Sequence, residues 1–347
     1  MKKGLAWILA AVMLFSLAAC GGKKEEDEKA AGTEAQAGEE TAETKTAEKK
    51  EEGSGAKEGK IRVGFSQMDN NGAWRVVETE DMKAVAGERG YELVYTDAQS
   101  QTSKQLSDIE DLIAQEVDYL VIAPKETTGL ERGLEEAKEA GIPVILIDRC
   151  HDGKAGEDYV TYIASDFVYQ GYECGQALAK ALDGNGKVVV IEGQPGGSDA
   201  IERQEGFDKA MEEYPDIEVI ASQPGEYSRS KAQSVMESFL QTYGDEIDAV
   251  FSHDDEMAQG AITAIEANNL KAGEDIKIAG IDGQKSAIQA IIDGKMTAVV
   301  TCSPRFGTIV FDTIERLIAG ETLETYIQLE DYVIDSSNAE AELENGF

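Results

Sequence analysis

A small set of charged, amide and aromatic residues follows the apolar runs of this sequence. Gln67, Asn70, Trp74 and Arg75 come after the first run, Asp148-Arg149 after the fourth, and Asp254 and Asp282 after two later ones. Arg203 opens the helical segment behind Gly196-Gly197-Ser198, and Tyr227 follows the run that ends at Gln223. Carboxylates accept hydroxyl hydrogens, guanidinium forks donate to hydroxyl and ring oxygens, and aromatic faces cover apolar C–H patches. Together these groups suit a small polyhydroxylated ligand such as a monosaccharide. Ion pairs within the set, Asp148 with Arg149 or Arg75, would satisfy the charges without a charged ligand. Asp148 and Asp282 also fit a purely structural alternative, as helix N-caps after a strand.

Catalytic signatures are missing from the sequence. There is no G-x-x-x-x-G-K-[ST] phosphate loop and no H-E-x-x-H, and Gly196-Gly197-Ser198-Asp199-Ala200 fails the G-x-S-x-G pattern at its last position. The two histidines, His151 and His253, are too few for a histidine-rich metal site. No cofactor and no enzymatic activity are expected.

The elements that must position these residues alternate regularly from Ile61 onward. Short apolar runs, read as strands, are separated by amphipathic segments of about a dozen residues, read as helices. The strands are near-continuously apolar, as in parallel sheets covered by helices on both faces. Their number exceeds one ordinary sheet, and a break near Ser165 divides them into two βαβαβ-like halves. The predicted fold is α/β, with two Rossmann-like parallel-sheet domains joined by a three-strand hinge. In such sheets ligands bind beyond the carboxyl ends of the strands, where the polar residues named above fall.

The first residues set the compartment. Lys2 and Lys3 precede an apolar run from Leu5 to Leu17, too short for the ~20 residues of a membrane span but suited to a signal-peptide core. The run ends in Leu17-Ala18-Ala19-Cys20, which resembles a bacterial lipobox. This makes residues 1–20 a lipoprotein signal peptide with Cys20 as the lipidated residue. Residues 21–59 are rich in Glu, Lys, Ala, Thr and Gly, without the apolar content to form a core, and read as a disordered tether. Cys150, Cys174 and Cys302 are widely spaced and odd in number, giving no disulfide framework. A formal net charge of −36 argues against nucleic acid and anionic surfaces as partners.

Five strings in order resemble a known family: Ile147-Asp148-Arg149, Ile163-Ala164-Ser165-Asp166, Arg203-Gln204-Glu205-Gly206-Phe207, Asp254-Asp255-Glu256-Met257-Ala258-Gln259-Gly260-Ala261 and Gly280-Ile281-Asp282-Gly283. From Ile61 on, the chain resembles the type I periplasmic sugar-binding proteins of ABC importers, the ribose- and galactose-binding group. Gly64-Phe65-Ser66-Gln67 with Trp74-Arg75, and Arg229-Ser230-Lys231 before Val235-Met236-Glu237-Ser238-Phe239, resemble its galactofuranose-binding members. The resemblance implies crossovers near Ser165, Cys302 and Glu330, with lobes of 60–165 plus 303–330 and 166–302 plus 331–347. It implies sugar contacts at Trp74, Arg75, Asp148, Arg149, Arg203, Tyr227 and Asp282. Asp254 stands where the family usually has Asn, and Cys302 where its ribose-binding members carry Gln.

The implied partners are a monosaccharide and the permease and ATPase subunits of an importer. The protein is expected to be a monomer outside the cytoplasm, held to the outer face of the membrane by its lipid alone. The alternative is a chemoreceptor-type sugar sensor not coupled to transport. Cys20→Ala should convert a membrane-bound protein into one shed from cells. Fractionation that still finds the processed variant in the membrane would contradict the lipobox reading.

Overall fold

The structure, a computed structural model, describes residues 59–347. Cys20, the signal peptide and the tether up to residue 58 lie outside the described residues. The first half runs β1 (Arg62–Gln67), α1 (Gly72–Glu88), β2 (Glu92–Asp97), α2 (Thr102–Ala114), β3 (Tyr119–Ile122), α3 (Glu131–Glu139), β4 (Val144–Ile147) and β5 (Thr161–Ala164). The second runs α4 (Phe167–Ala181), β6 (Gly186–Glu192), α5 (Ser198–Met211), β7 (Ile217–Pro224), α6 (Arg229–Tyr243), β8 (Ala249–Ser252), α7 (Asp255–Ala267), β9 (Lys277–Asp282), α8 (Lys285–Ile292) and β10 (Ala298–Thr301). Helix α9 (Gly307–Ile318), β11 (Tyr326–Gln328), β12 (Val333–Asp335) and α10 (Ala339–Glu342) close the chain.

The strands form two six-stranded sheets, ordered β11-β5-β4-β3-β1-β2 and β12-β10-β9-β8-β6-β7. Each is sandwiched between helices. In the first, Met82 and Ala86 of α1 join Val310, Phe311 and Ile314 of α9 on one face. Ile109 and Leu112 of α2 join Leu134 and Ala137 of α3 on the other. In the second, Phe167, Cys174 and Leu178 of α4 pack with Phe207 of α5. Val235, Met257 and Ile288 cover the opposite face from α6, α7 and α8. Burial on both faces is what makes the strands apolar without alternation. No helix among the described residues is long and apolar enough to cross a membrane.

The chain passes between the sheets three times: after β5, after β10, and between β11 and β12. Two features differ from the sequence expectation. Strand β11 is extra; its three residues are too few for periodicity to reveal. Strand β12 pairs with β10 antiparallel, Val300 opposite Val333, whereas parallel sheets were expected. The reason is the link length. Strand β11 runs parallel to β5 and ends at the strand-end side of its sheet. The few residues to β12 contain no crossover helix that could carry the chain back to a parallel start.

Helices α4 and α5 touch through glycine. A Cβ at Gly171 would fall 1.9 Å from the Arg203 carbonyl oxygen, and one at Gly206 1.9 Å from that of Val168. Only glycine permits this approach. It fixes the backbone of Arg203, one of the site arginines, against the neighbouring helix.

Candidate functional site

The carboxyl ends of both sheets face a cavity of about 400 Å³. Helix α1 begins at Gly72, which places Trp74 and Arg75 in its first turn at the cavity wall. Trp74 Nε1 donates to the Cys302 carbonyl at 2.8 Å, tying α1 to the crossover after β10. The Arg75 guanidinium lies 4.6 Å from the Trp74 ring centroid. It donates to Glu78 Oε2 at 2.9 Å and pairs with Asp148.

Arg149 is buried and joins the two halves. Its Nε lies 3.0 Å from Asp199 Oδ1 and 3.8 Å from Asp148 Oδ2. Its Nη1 donates at 3.1 Å to the Lys125 carbonyl of its own half and at 3.1 Å to Gln194 Oε1 of the other. Two hydrogen bonds from backbone N–H groups cross beside it: Cys150 N donates to the Ser198 hydroxyl Oγ at 2.9 Å and Thr127 N to the Gly196 carbonyl at 3.1 Å. The Tyr227 hydroxyl donates to Asp199 Oδ2 at 2.6 Å, and the Tyr227 ring lies 5.4 Å from the Arg149 guanidinium. Burial alone would raise the Asp199 carboxyl, but Arg149 and Arg203 beside it hold it below the ordinary aspartate range.

Arg203 donates Nε to Gln170 Oε1 at 2.9 Å and Nη1 to the His253 carbonyl at 2.7 Å. The His253 ring is buried against Phe251, 4.9 Å between centroids, and burial with the nearby Arg203 charge lowers it to about 3. It therefore stays neutral and acts through its carbonyl. Asp254 caps α7, its Oδ1 accepting from Met257 N at 2.7 Å. Burial raises Asp254 to about 7, and it raises Asp282 well above the usual range with the Asp254 and Asp255 charges adding to the effect. Asp255 Oδ2 accepts from Gly283 N at 2.9 Å and Gln284 N at 2.8 Å, pinning the turn that presents Asp282.

Five non-glycine wall residues have left-handed backbones: Ser100 at φ 58°, Asp148 at φ 60°, Glu226 at φ 54°, Tyr227 at φ 57° and Asp282 at φ 131°. Such conformations cost about 1–3 kcal/mol each and persist where surrounding contacts over-determine them. Neither Asp148 nor Asp282 is a helix cap, whereas Asp254 caps α7.

Eight of the ten residues expected to bind ligand line this cavity: Trp74, Arg75, Asp148, Arg149, Arg203, Tyr227, Asp254 and Asp282. Gln67 and Asn70 do not. The Gln67 amide is buried one layer behind, donating to Glu78 Oε2 at 2.6 Å, because the last strand residue points into the core and not past the edge. Asn70 is exposed, and Asn71, the residue before α1, takes the wall position. Cys302 also lines the wall, with its Sγ 3.7 Å from Ser165 Oγ. Asp199 and Gln194 went unrecognised. A signal for Asp199 existed: it lies four residues before Arg203, one helical turn, so both must share a face of α5. Among the described residues no group of His, Cys, Asp and Glu is arranged to hold a metal ion.

Two parallel-dominated sheets with a polar cavity at their facing strand ends define a bilobal α/β binding protein. The chain belongs to the periplasmic binding protein family, whose domain matches residues 63–322. It is 37% identical to the galactofuranose-binding protein YtfQ of Escherichia coli, over 81% of this chain and 91% of that one. It is 35% identical to the ribose import binding protein RbsB of Bacillus subtilis, over 76% and 84%. The arabinose ABC transporter's periplasmic binding protein from Shewanella, solved with L-arabinofuranose, superposes with a TM-score of 0.79 at 38% identity, covering 82% of this chain and 95% of that one.

The raised carboxyls make stability depend on pH. Asp254 at about 7, and Glu78, which burial also raises to about 7, hold protons more tightly folded than unfolded. That contribution is fully present below about pH 4 and is lost as pH rises through about 7. The ligand-free protein should thus lose stability between pH 5 and 7 from these groups. Asp254→Asn, which keeps the cap, should flatten the slope by up to about 1.4 kcal/mol per pH unit, the value for one proton. Urea unfolding at pH 5, 6 and 7 reads both proteins. Identical slopes would mean that Asp254 ionises normally.

Proposed function

We infer that this chain is the substrate-binding lipoprotein of an ABC sugar importer. It captures one monosaccharide between its lobes and presents the closed form to a permease and its ATPase. The ligand is a galactofuranose, galactose or pentose-like sugar. Lipid on Cys20 holds the protein, as a monomer, on the outer face of the membrane.

The observation that carries this reading is the arrangement around Arg149. A ligand touching Asp148 and Arg149 from one lobe and Arg203, Asp254 and Asp282 from the other stabilises only the closed arrangement. That differential contact is what lets a ligand shift an open–closed balance. Trp74 supplies the flat apolar face and Arg75, Arg149 and Arg203 the donors that a sugar's hydroxyl and ring oxygens require. The relatives' names point to furanose and pentose sugars, consistent with this donor set. Nothing in the cavity pairs a nucleophile with a base: burial pushes the Cys302 thiol up, and its neighbour is the Ser165 hydroxyl. Binding and release without chemical change fit such a wall.

Calorimetry against galactose, arabinose and ribose tests the reading. At least one should bind, and Arg149→Ala should weaken it by about 2–4 kcal/mol, since carboxylates built around the guanidinium lose their partner. Unchanged affinity in that variant would place the sugar elsewhere.

A further inference from the structure

The charges of the cavity do not cancel. Seven carboxyls, from Asp69, Glu78, Asp148, Asp199, Asp254, Asp255 and Asp282, are buried with three guanidiniums, from Arg75, Arg149 and Arg203; Asp69 accepts from Asn71 N and Ser100 Oγ. Arg75 pairs with Glu78 and Asp148, and Arg149 with Asp199. The hydrogen bonds of Arg203 go to the neutral Gln170 amide and a carbonyl, and it makes no ion pair among the described residues. His253, the nearest other candidate for positive charge, is held neutral. Asp255 Oδ2 accepts from two backbone N–H groups, while its Oδ1 has no hydrogen-bond partner among the described residues. Asp254 and Asp282, each at least nine-tenths buried, therefore face the cavity with no Lys or Arg in ion-pair contact among the described residues.

A neutral sugar can donate hydroxyl hydrogens to these two carboxylates but brings no charge to balance them, and an uncompensated buried charge is expensive. Buried donors stand beside them. Gln284 lines the same wall beside the Asp282 carboxyl, which its side chain reaches, although Gln284 Nε2 makes no hydrogen bond of good geometry among the described residues. Arg203 Nη2 likewise has no protein acceptor among the described residues. The wall thus offers two carboxyls, whose protons a bound cation would displace, adjacent to donors. This matches an ammonium group, with three N–H donors, next to an oxygen that accepts.

We propose that the cavity takes an amino sugar, its protonated amine seated between Asp254 and Asp282 and a neighbouring hydroxyl or ring oxygen facing Arg203 and Gln284. This rests on the sugar-binding reading above and narrows it to a cationic member of the class. Burial raises both carboxyls while the Arg203 charge acts on each in the opposite sense, so Arg203 compensates the pair only in part. This revises the expectation that internal pairing leaves no charge for a ligand to meet, which holds for Asp148 and Asp199 and fails for Asp254 and Asp282.

The test is calorimetry at pH 7 with the whole exported chain. The probes are D-galactose, D-galactosamine, N-acetyl-D-galactosamine and 6-amino-6-deoxy-D-galactose, with arabinose and its amino-deoxy forms as a second series. At least one amino sugar should bind about tenfold or more tightly than its hydroxyl parent. Acetylating a 2-amine that binds this way should abolish the gain. Asp254→Asn, in which Asn still caps α7, and Asp282→Asn should each bring the amine-to-hydroxyl affinity ratio towards one. If neutral sugars bind and every amino sugar binds equally or less tightly, the proposal is overturned and the sugar-binding function stands. If no sugar of either series binds, both fall.

Discussion

The Arg149 guanidinium is the interaction on which the rest of this structure depends. It is buried with no water-facing escape, so every hydrogen bond it makes must be supplied by protein or ligand. One lobe gives it Asp148 and the Lys125 carbonyl; the other gives it Asp199 and Gln194. Two hydrogen bonds leave its Nη1, and its Nε lies in ion-pair contact with Asp199 without a hydrogen bond of good geometry. A ligand can favour one arrangement of the two sides over another only through differential contact with them.

That constraint explains the local strain. Asp148 must turn its carboxylate back towards Arg75 while the next residue sends its side chain across the cleft, and a left-handed backbone at Asp148 achieves both. The Tyr162 hydroxyl secures the turn by donating to the Asp148 carbonyl at 2.7 Å. On the far wall Asp255 does the same for the Asp282 turn through two backbone N–H groups. The glycine contacts between α4 and α5 serve the same end, setting the depth at which Arg203 enters the cavity.

Much of this was legible in the residues. Near-continuous apolar strands alternating with amphipathic helices report burial on both faces, a signal that survives without any tertiary knowledge. Charged residues at the ends of such strands had to lie at the sheet edge, which is why Asp148, Arg149, Asp254 and Asp282 could be named. What escaped notice was set by long-range geometry. Gln67 ends its strand like the others, yet the pleat turns its amide inward to Glu78. Asp199 looked like part of a failed motif, and its value comes from Arg149 and Tyr227, distant in sequence. The antiparallel β12 follows from how short the last link is once the lobes are placed. The excess of carboxyls over guanidiniums is visible only when the pairs can be assigned.

The central claim is that ligand joins the two lobes by contacting both walls of one cavity. Small-angle X-ray scattering of the exported chain, with and without a saturating sugar whose binding calorimetry has established, tests it directly. The account predicts a smaller radius of gyration in the bound sample, as the population shifts to the closed form. An identical radius in both samples, with the sugar demonstrably bound, would contradict it.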